Sequence, residues 1–317
     1  MPFRSKGLRR VRREPGNPMT VFIQSAKQPL FHTLTSNHAA MVMEGNNFPV
    51  SSSAPPELEA NQERLYQDIL TFLTNHCVPY AVSGAFALQQ HTGVHRPAKD
   101  LDVFLTSESA SHALELLSQN GYLCEVCDPV WLAKVHRDDY FVDFITGMSN
   151  AALTVTDSWI TRARPALILG LPTRILAPEE LLASKLFVVR RERFDGADIA
   201  HIIYATGGRL DWDRILELAG IHWEMLLWAL VLFRYIYPGQ AQFVPMLIWT
   251  QLMNRLMFRL LNPDPADRFR GSLVDDNMFA IDVNEWGLDD LLSQYRSTRA
   301  NKIHWTPAPV EAEKGAA

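Results

Sequence analysis

Cysteine is scarce. Three residues, Cys77, Cys124 and Cys127, in a chain of 317 are too few and too scattered for a disulfide framework, which points to a reducing interior. Long apolar runs are missing as well. No stretch reaches the roughly 18 residues a membrane helix needs, and the nearest, MLLWALVLF at 225–233, is closed by Glu224 and Arg234 as a core helix would be. The expected compartment is the cytoplasm, with no membrane partner. Positive charge is in deficit too. A net charge of −5 gives no global electrostatic case for binding nucleic acid and leaves room only for a local basic groove. Internal repeats and low-complexity tracts are absent.

The remaining composition, 47% hydrophobic and 21% charged, is that of a globular protein with a proper core. Residues 1–57 lack sustained periodicity and end in SSSAPPE, so we expect a loosely ordered tail. Its start, MPFRSKGLRRVRREPGNP, is rich in arginine with no apolar centre and is not a secretory signal. A nucleic-acid arm and an organelle address are the functional alternatives to a solvated tail, which we favour, upstream of a start at Met19.

Order begins with the helical spacing of Leu65, Ile69, Leu70 and Phe72. A short strand, VPYAV, then runs through Ser83–Gly84 into the helix AFALQQH. The strand LDVFL and the helix SASHALELLSQNG follow. Three β-like runs come next, YLCEV, WLAKVH and DYFVDFIT, then a hairpin in LILGLPTRIL. APEELLASKLFVVRR starts a helix with Pro178 and two glutamates in its first turn, and FDGADIAHIIYAT reads as another. From Asp211 the pattern is almost wholly helical. The expected fold is α/β (α+β): a small, mixed, twisted sheet with helices packed on it. Residues 58–210 form this α/β domain, 211–300 a helical subdomain walling one side of a cleft, and 301–317 a flexible tail.

One stretch raises a chemical question. SGAFALQQHTGVHRPAKDLDVFL sets Asp100 and Asp102 about one leucine in a strand-like run. Side chains two apart on a strand share a face, and adjacent carboxylates repel unless a cation lies between them. Mg²⁺ fits, because it takes hard oxygen ligands from one or two carboxylates and from substrate phosphates; Mn²⁺ is its natural substitute. A third acid, Asp143, lies in the apolar run YFVDFI. If that strand pairs beside LDVFL, three carboxylates meet, enough for two metals and an in-line phosphoryl displacement. Ser83–Gly84, between strand and helix, offers backbone N–H groups and a hydroxyl to a phosphate.

At these residues the chain resembles the DNA-polymerase-β-like nucleotidyltransferase superfamily, whose motif is a Gly-Gly or Gly-Ser turn, a gap, Asp-x-Asp or Asp-x-Glu, and a later third acid. Its look is closest to the minimal branch that includes the AbiEii-type nucleotidyltransferases, which Arg96 and Lys99 before the Asp-x-Asp fit. APEELLASKLFVVRRERFDGADIAHII is similar to a helical stretch of that branch, with Lys185, Arg191 or Arg193, Asp195 and Asp198 in the matching places. The resemblance covers about 60–205. Serine stands here where the family's first glycine is common, leaving one glycine in the turn.

The resemblance implies an enzyme that moves a nucleoside monophosphate from an NTP such as ATP to an acceptor hydroxyl. Asp100, Asp102 and Asp143 would be catalytic and metal-holding. Ser83, Gly84, Arg96, Lys99 and Lys185 would bind the nucleotide. The acceptor stays open between RNA 3′ ends, proteins and small molecules, and the AbiEii likeness adds a cognate neutralising protein as a partner. The rival reading is a non-catalytic nucleotide sensor or scaffold on the same fold. Other signals carry less: His91 and His95 have zinc spacing without a second ligand pair, Cys124 and Cys127 fall on a strand, and Trp212, Trp223, Trp228 and Trp249 read as helix packing.

Overall fold

The computed structural model describes residues 58–305; the N-terminal tail expected over 1–57 lies outside them. The chain first lays down α1 (Ala60–Asn75), β1 (Ala81–Val82), α2 (Gly84–Thr92), β2 (Leu101–Phe104) and α3 (Ser107–Gln119). A meander follows of β3 (Leu123–Asp128), β4 (Leu132–Arg137) and β5 (Tyr140–Ile145). After the short α4 (Asp157–Thr161) come the hairpin β6 (Arg164–Ile168) and β7 (Leu171–Ile175), then α5 (Pro178–Lys185). A small ribbon, β8 (Val189–Arg190) and β9 (Arg193–Phe194), precedes α6 (Gly196–Ala205). The rest is helical: α7 (Trp212–Ala219), α8 (Trp223–Ile236), α9 (Met246–Leu261), α10 (Gly271–Val274), α11 (Ala280–Asn284) and α12 (Leu291–Ala300).

Seven strands form one mixed sheet in the order β3-β4-β5-β2-β1-β7-β6, and β8–β9 pair separately. β2 runs parallel to β5 and antiparallel to β1, and β1 runs parallel to β7. Alternation along the central strands divides the two faces. Leu101, Val103, Val142, Phe144, Ala133 and Val135 are fully buried, and register aligns them in neighbouring rows. α1 closes over β5 and β7, burying Leu65, Ile69, Leu70 and Leu73, while α3 packs on β3. Between the apolar rows one cross-strand row is charged: Asp102 faces Asp143, which faces Lys134, which faces Glu125. Ser83 extends it from the other side, its N–H donating to the Asp102 carbonyl at 2.9 Å.

The downstream helix is shorter than its sequence suggests. It stops at Lys185, and the basic run after it turns back as the β8–β9 ribbon. Every residue of α5 is buried. Glu180 within it is ion-paired with Arg214 of α7 at 2.9 Å and with Arg162 at 3.3 Å. α5 packs on α7 and α6 on α8, so the helical segment continues the same apolar core through Ile215, Leu226, Leu230 and Phe233.

Trp212–Ile236, with mean hydropathy 1.6, is long and apolar enough to cross a membrane by length and composition, more than the sequence reading allowed. In the fold it is two helices broken by a 3₁₀ turn at Gly220–His222. The end of the described chain is tied down. Ile303 and Trp305 are buried, and the Trp305 indole donates to the Pro129 carbonyl at 2.7 Å. Of the expected flexible tail, 306–317 lie outside the described residues.

Candidate active site

The charged row opens into a cavity of about 340 Å³ lined by Ser83, Gly84, Asp100, Asp102, Asp143, Lys185, Arg190, Arg193 and Asp195, with Phe104, Trp131, Met148 and Phe187 among its apolar walls. Asp100 sits in the bend just before β2 and Asp102 within it. The carbonyl of Lys99 accepts from Gln62 at 3.2 Å and from the Tyr66 hydroxyl at 3.3 Å, so α1 fixes the approach to the strand. Asp143 joins by register, directly beside Asp102.

Gly84 begins α2 with φ +58°, a conformation that only glycine adopts readily. A Cβ there would fall 1.8 Å from Asp102 Oδ2. The glycine thus brings the N-terminus of α2 against the carboxylate, where backbone N–H groups and the helix dipole favour an anion. Ser83 is buried, and its side chain makes no capping bond to the helix.

Burial raises Asp102 to about 7, and Asp100 and Asp143 push the same way against Lys185 and Arg193. Burial also raises Asp143, opposed by Lys134. Both shifts describe carboxylates short of positive charge.

Lys185 also lines the cavity and is only 5% exposed. Its ammonium is 2.9 Å from Asp195 and 2.7 Å from Asp198. Arg193 pairs with Asp195 at 3.2 Å, and Arg96 pairs with Asp198. Burial disfavours ionisation of Asp195, but Lys185 and Arg193 outweigh it and hold its carboxyl below the usual range.

Of the residues expected to bind nucleotide, Ser83, Gly84 and Lys185 therefore share the cavity with the three acids. Arg96 and Lys99 do not line it. Arg96 pairs with Asp198, which pairs in turn with the cavity residue Lys185, and Lys99 is exposed. Lys134, Arg190, Trp131 and Asn150 were not expected. In sequence Lys134 is an ordinary strand residue and Arg190 falls in a run read as helix. Cross-strand register sets Lys134 on Asp143 rather than in the cavity lining, and the ribbon brings Arg190 to the cavity. His91 lies 2.8 Å from the Leu176 carbonyl, and Cys124 and Cys127 are free thiols. Among the four tryptophans read as packing, Trp228 is 43% exposed.

Among the described residues no group of three or more His, Cys, Asp or Glu side chains is placed to hold a metal ion. A pair of hard-oxygen donors does fit Mg²⁺: Asp100 and Asp102 line one cavity beside a helix N-terminus suited to phosphate. The charge-poor state of Asp102 is what a divalent cation would relieve.

Comparison with known proteins gives the arrangement a context. Residues 62–221 match the family described as "Nucleotidyl transferase of unknown function (DUF2204)". A search of curated proteins found no match. Solved structures with partial likeness include ANT(2″)-Ia in complex with adenylyl-2″-tobramycin (15% identity, 56% of this chain and 99% of that one, TM-score 0.35). The lincomycin-bound lincosamide antibiotic adenylyltransferase LnuA is similar at 17% identity over 46% of this chain and 98% of that one (TM-score 0.33). An antigenic nucleotidyltransferase-like protein from Paracoccidioides brasiliensis is similar at 15% identity over 60% of this chain and 96% of that one (TM-score 0.38). Overlaps this partial say nothing of the substrate here.

Proposed function

The chain belongs to this nucleotidyl transferase family, and on that footing we propose that it transfers a nucleoside monophosphate from an NTP to an acceptor hydroxyl, releasing pyrophosphate. The observation that carries the reading is the register of Asp102 beside Asp143, facing the glycine turn at the start of α2.

Asp100 and Asp102 would hold Mg²⁺, or Mn²⁺ in its place, with Asp143 completing the acid set. When bound, the ion draws charge from the triphosphate oxygens and lowers the barrier to displacement. The chain's own residues do the rest. The backbone at Ser83–Gly84 cradles the β- and γ-phosphates. Asp143 accepts the proton of the attacking hydroxyl. Lys185, Arg190 and Arg193 offset the charge that gathers on the leaving pyrophosphate, while the apolar walls exclude water. Positioning and electrostatics suffice for this chemistry.

Residues 58–210 act as the catalytic domain, in the cytoplasm. The helical subdomain expected to wall the cleft instead packs on α5 and α6, and the cavity is lined from residues 83–195. The acceptor class, whether RNA 3′ end, protein or small molecule, decides the physiological role, and the AbiEii-type likeness supports a toxin with a neutralising partner.

The test is incubation of full-length protein with each α-labelled NTP and Mg²⁺, offering total tRNA, protein and an aminoglycoside panel as acceptors. Label moving to one class in wild type, and lost in Asp100→Ala/Asp102→Ala, is the expected result. Mg-dependent NTP binding without transfer to any acceptor would favour the sensor instead. No binding at all would defeat both readings.

A further inference from the structure

Beside the acids stands a cation that the motif does not contain. Lys134 of β4 lies opposite Asp143 in register, with Nζ 2.6 Å from Asp143 Oδ1. The same ammonium lies 3.4 Å from the centroid of the Phe141 ring, whose side chain shares the Asp143 face of β5 because the two residues are two apart. The lysine side chain is 21% exposed and that of the aspartate 11%. An ammonium held between a carboxylate and a ring face, largely out of water, is fixed more firmly than a surface lysine. Among the described residues Asp143 is its one ion-pair partner.

That contact changes how many cations the site can take. A two-metal site needs carboxylates free to share between ions. Here one oxygen of Asp143 already accepts from Lys134. A second divalent ion on Asp143 would face a fixed positive charge across one carboxylate, and that repulsion is strong where water screens it poorly.

We propose that Lys134 is a built-in counter-cation for Asp143, standing in for a second metal, so that the enzyme works with a single divalent cation on Asp100 and Asp102. This rests on the nucleotidyltransferase reading and narrows it. Lys134 acts through Asp143 and is a positioning residue. It fixes one carboxylate oxygen and leaves the other for the acceptor hydroxyl.

The test counts Mn²⁺ bound per chain by electron paramagnetic resonance and by calorimetry, at a saturating non-hydrolysable NTP analogue, on full-length protein. Wild type, Lys134→Arg, Lys134→Met and Asp100→Ala/Asp102→Ala are compared, each checked for a cooperative melt. The expected counts are one ion for wild type and Lys134→Arg, two for Lys134→Met, and none for the double variant. Two ions in wild type would overturn the proposal without recourse to any variant. One ion in wild type, Lys134→Arg and Lys134→Met alike would also overturn it, since a merely structural lysine leaves the count unchanged. Lys134→Gln replaces Lys134→Met if the latter does not fold. A wild-type ion that the double variant loses keeps the nucleotidyltransferase reading intact even where the Lys134 proposal fails. No nucleotide-dependent ion in wild type would remove both.

Discussion

Asp102 was legible because a charge inside an apolar β-like run is costly unless something holds it, and Asp143 stood out for the same reason. Lys134 was not legible. A lysine in WLAKVH is unremarkable until β4 pairs with β5 and places it on Asp143. The raised state of Asp102 has a consequence for stability. Its folded value of about 7 exceeds the ordinary 3.8, so the folded form holds a proton that the unfolded chain releases. This favours folding below the ordinary carboxylate range, and the contribution is lost as pH rises through about 7. Burial lowers His222 to about 4 and lowers His91 and His201 as well, and these act in the opposite direction. The measurement is therefore the Tm of metal-free wild type minus that of Asp102→Asn, which should be larger at pH 5 than at pH 8. Lys185 gives a second prediction. Replacing it by methionine leaves Asp195 and Asp198 buried with less countercharge, a loss of about 3–5 kcal/mol typical of a broken buried pair. Denaturant melts of Lys185→Met measure that, and its effect on transfer must be read against it.

At the scale of elements, the meander, the β6–β7 hairpin and most of the helices were visible in periodicity and turn residues. The β8–β9 ribbon was not. VVRRERF mixes β-branched and basic residues with no turn glycine, and nothing local stops a helix from running through it. Only tertiary packing ends α5 at Lys185. The grip of α12 was equally invisible, because it depends on contacts distant in sequence. Arg296 donates to both oxygens of Asp128, at 3.1 and 3.0 Å, and to the Ser149 carbonyl at 2.6 Å. Arg299 donates to the Thr146 carbonyl at 2.9 Å. These bonds hold the β3–β4 turn and the segment after β5, which supply Trp131, Met148 and Ser149 to the cavity wall. Arg296→Ala should cost about 1.5–3 kcal/mol, the worth of hydrogen bonds to a charged group. It should also raise KM for the NTP more than it lowers kcat. Thermal melts and steady-state kinetics of the one variant check both.

For the whole molecule, the helical segment was expected as a subdomain, and its packing shows what joins it to the sheet. Glu180, fully buried on α5, depends on Arg214 of α7 and on Arg162, and the apolar core passes from α6 into α8. A fragment of residues 58–210 would expose that surface and leave Glu180 without Arg214. We expect it to show no cooperative melt by circular dichroism, whereas the full chain unfolds in one transition across the sheet and α5–α8. Two separate transitions in the full chain would contradict this.

The charged row across β2, β5, β4 and β3 bears on assembly as well as on chemistry. Strand side chains alternate faces, so a slip of β5 by one residue would carry Asp143 into the apolar layer beside Leu101 and Val103 and turn Val142 and Phe144 out of it. Wrong registers are thus penalised by the same carboxylates to which we assign the proposed reaction. The site serves the sheet as an error check: a chain that folds out of register loses stability and activity together, and few molecules should be well folded yet inactive for this reason.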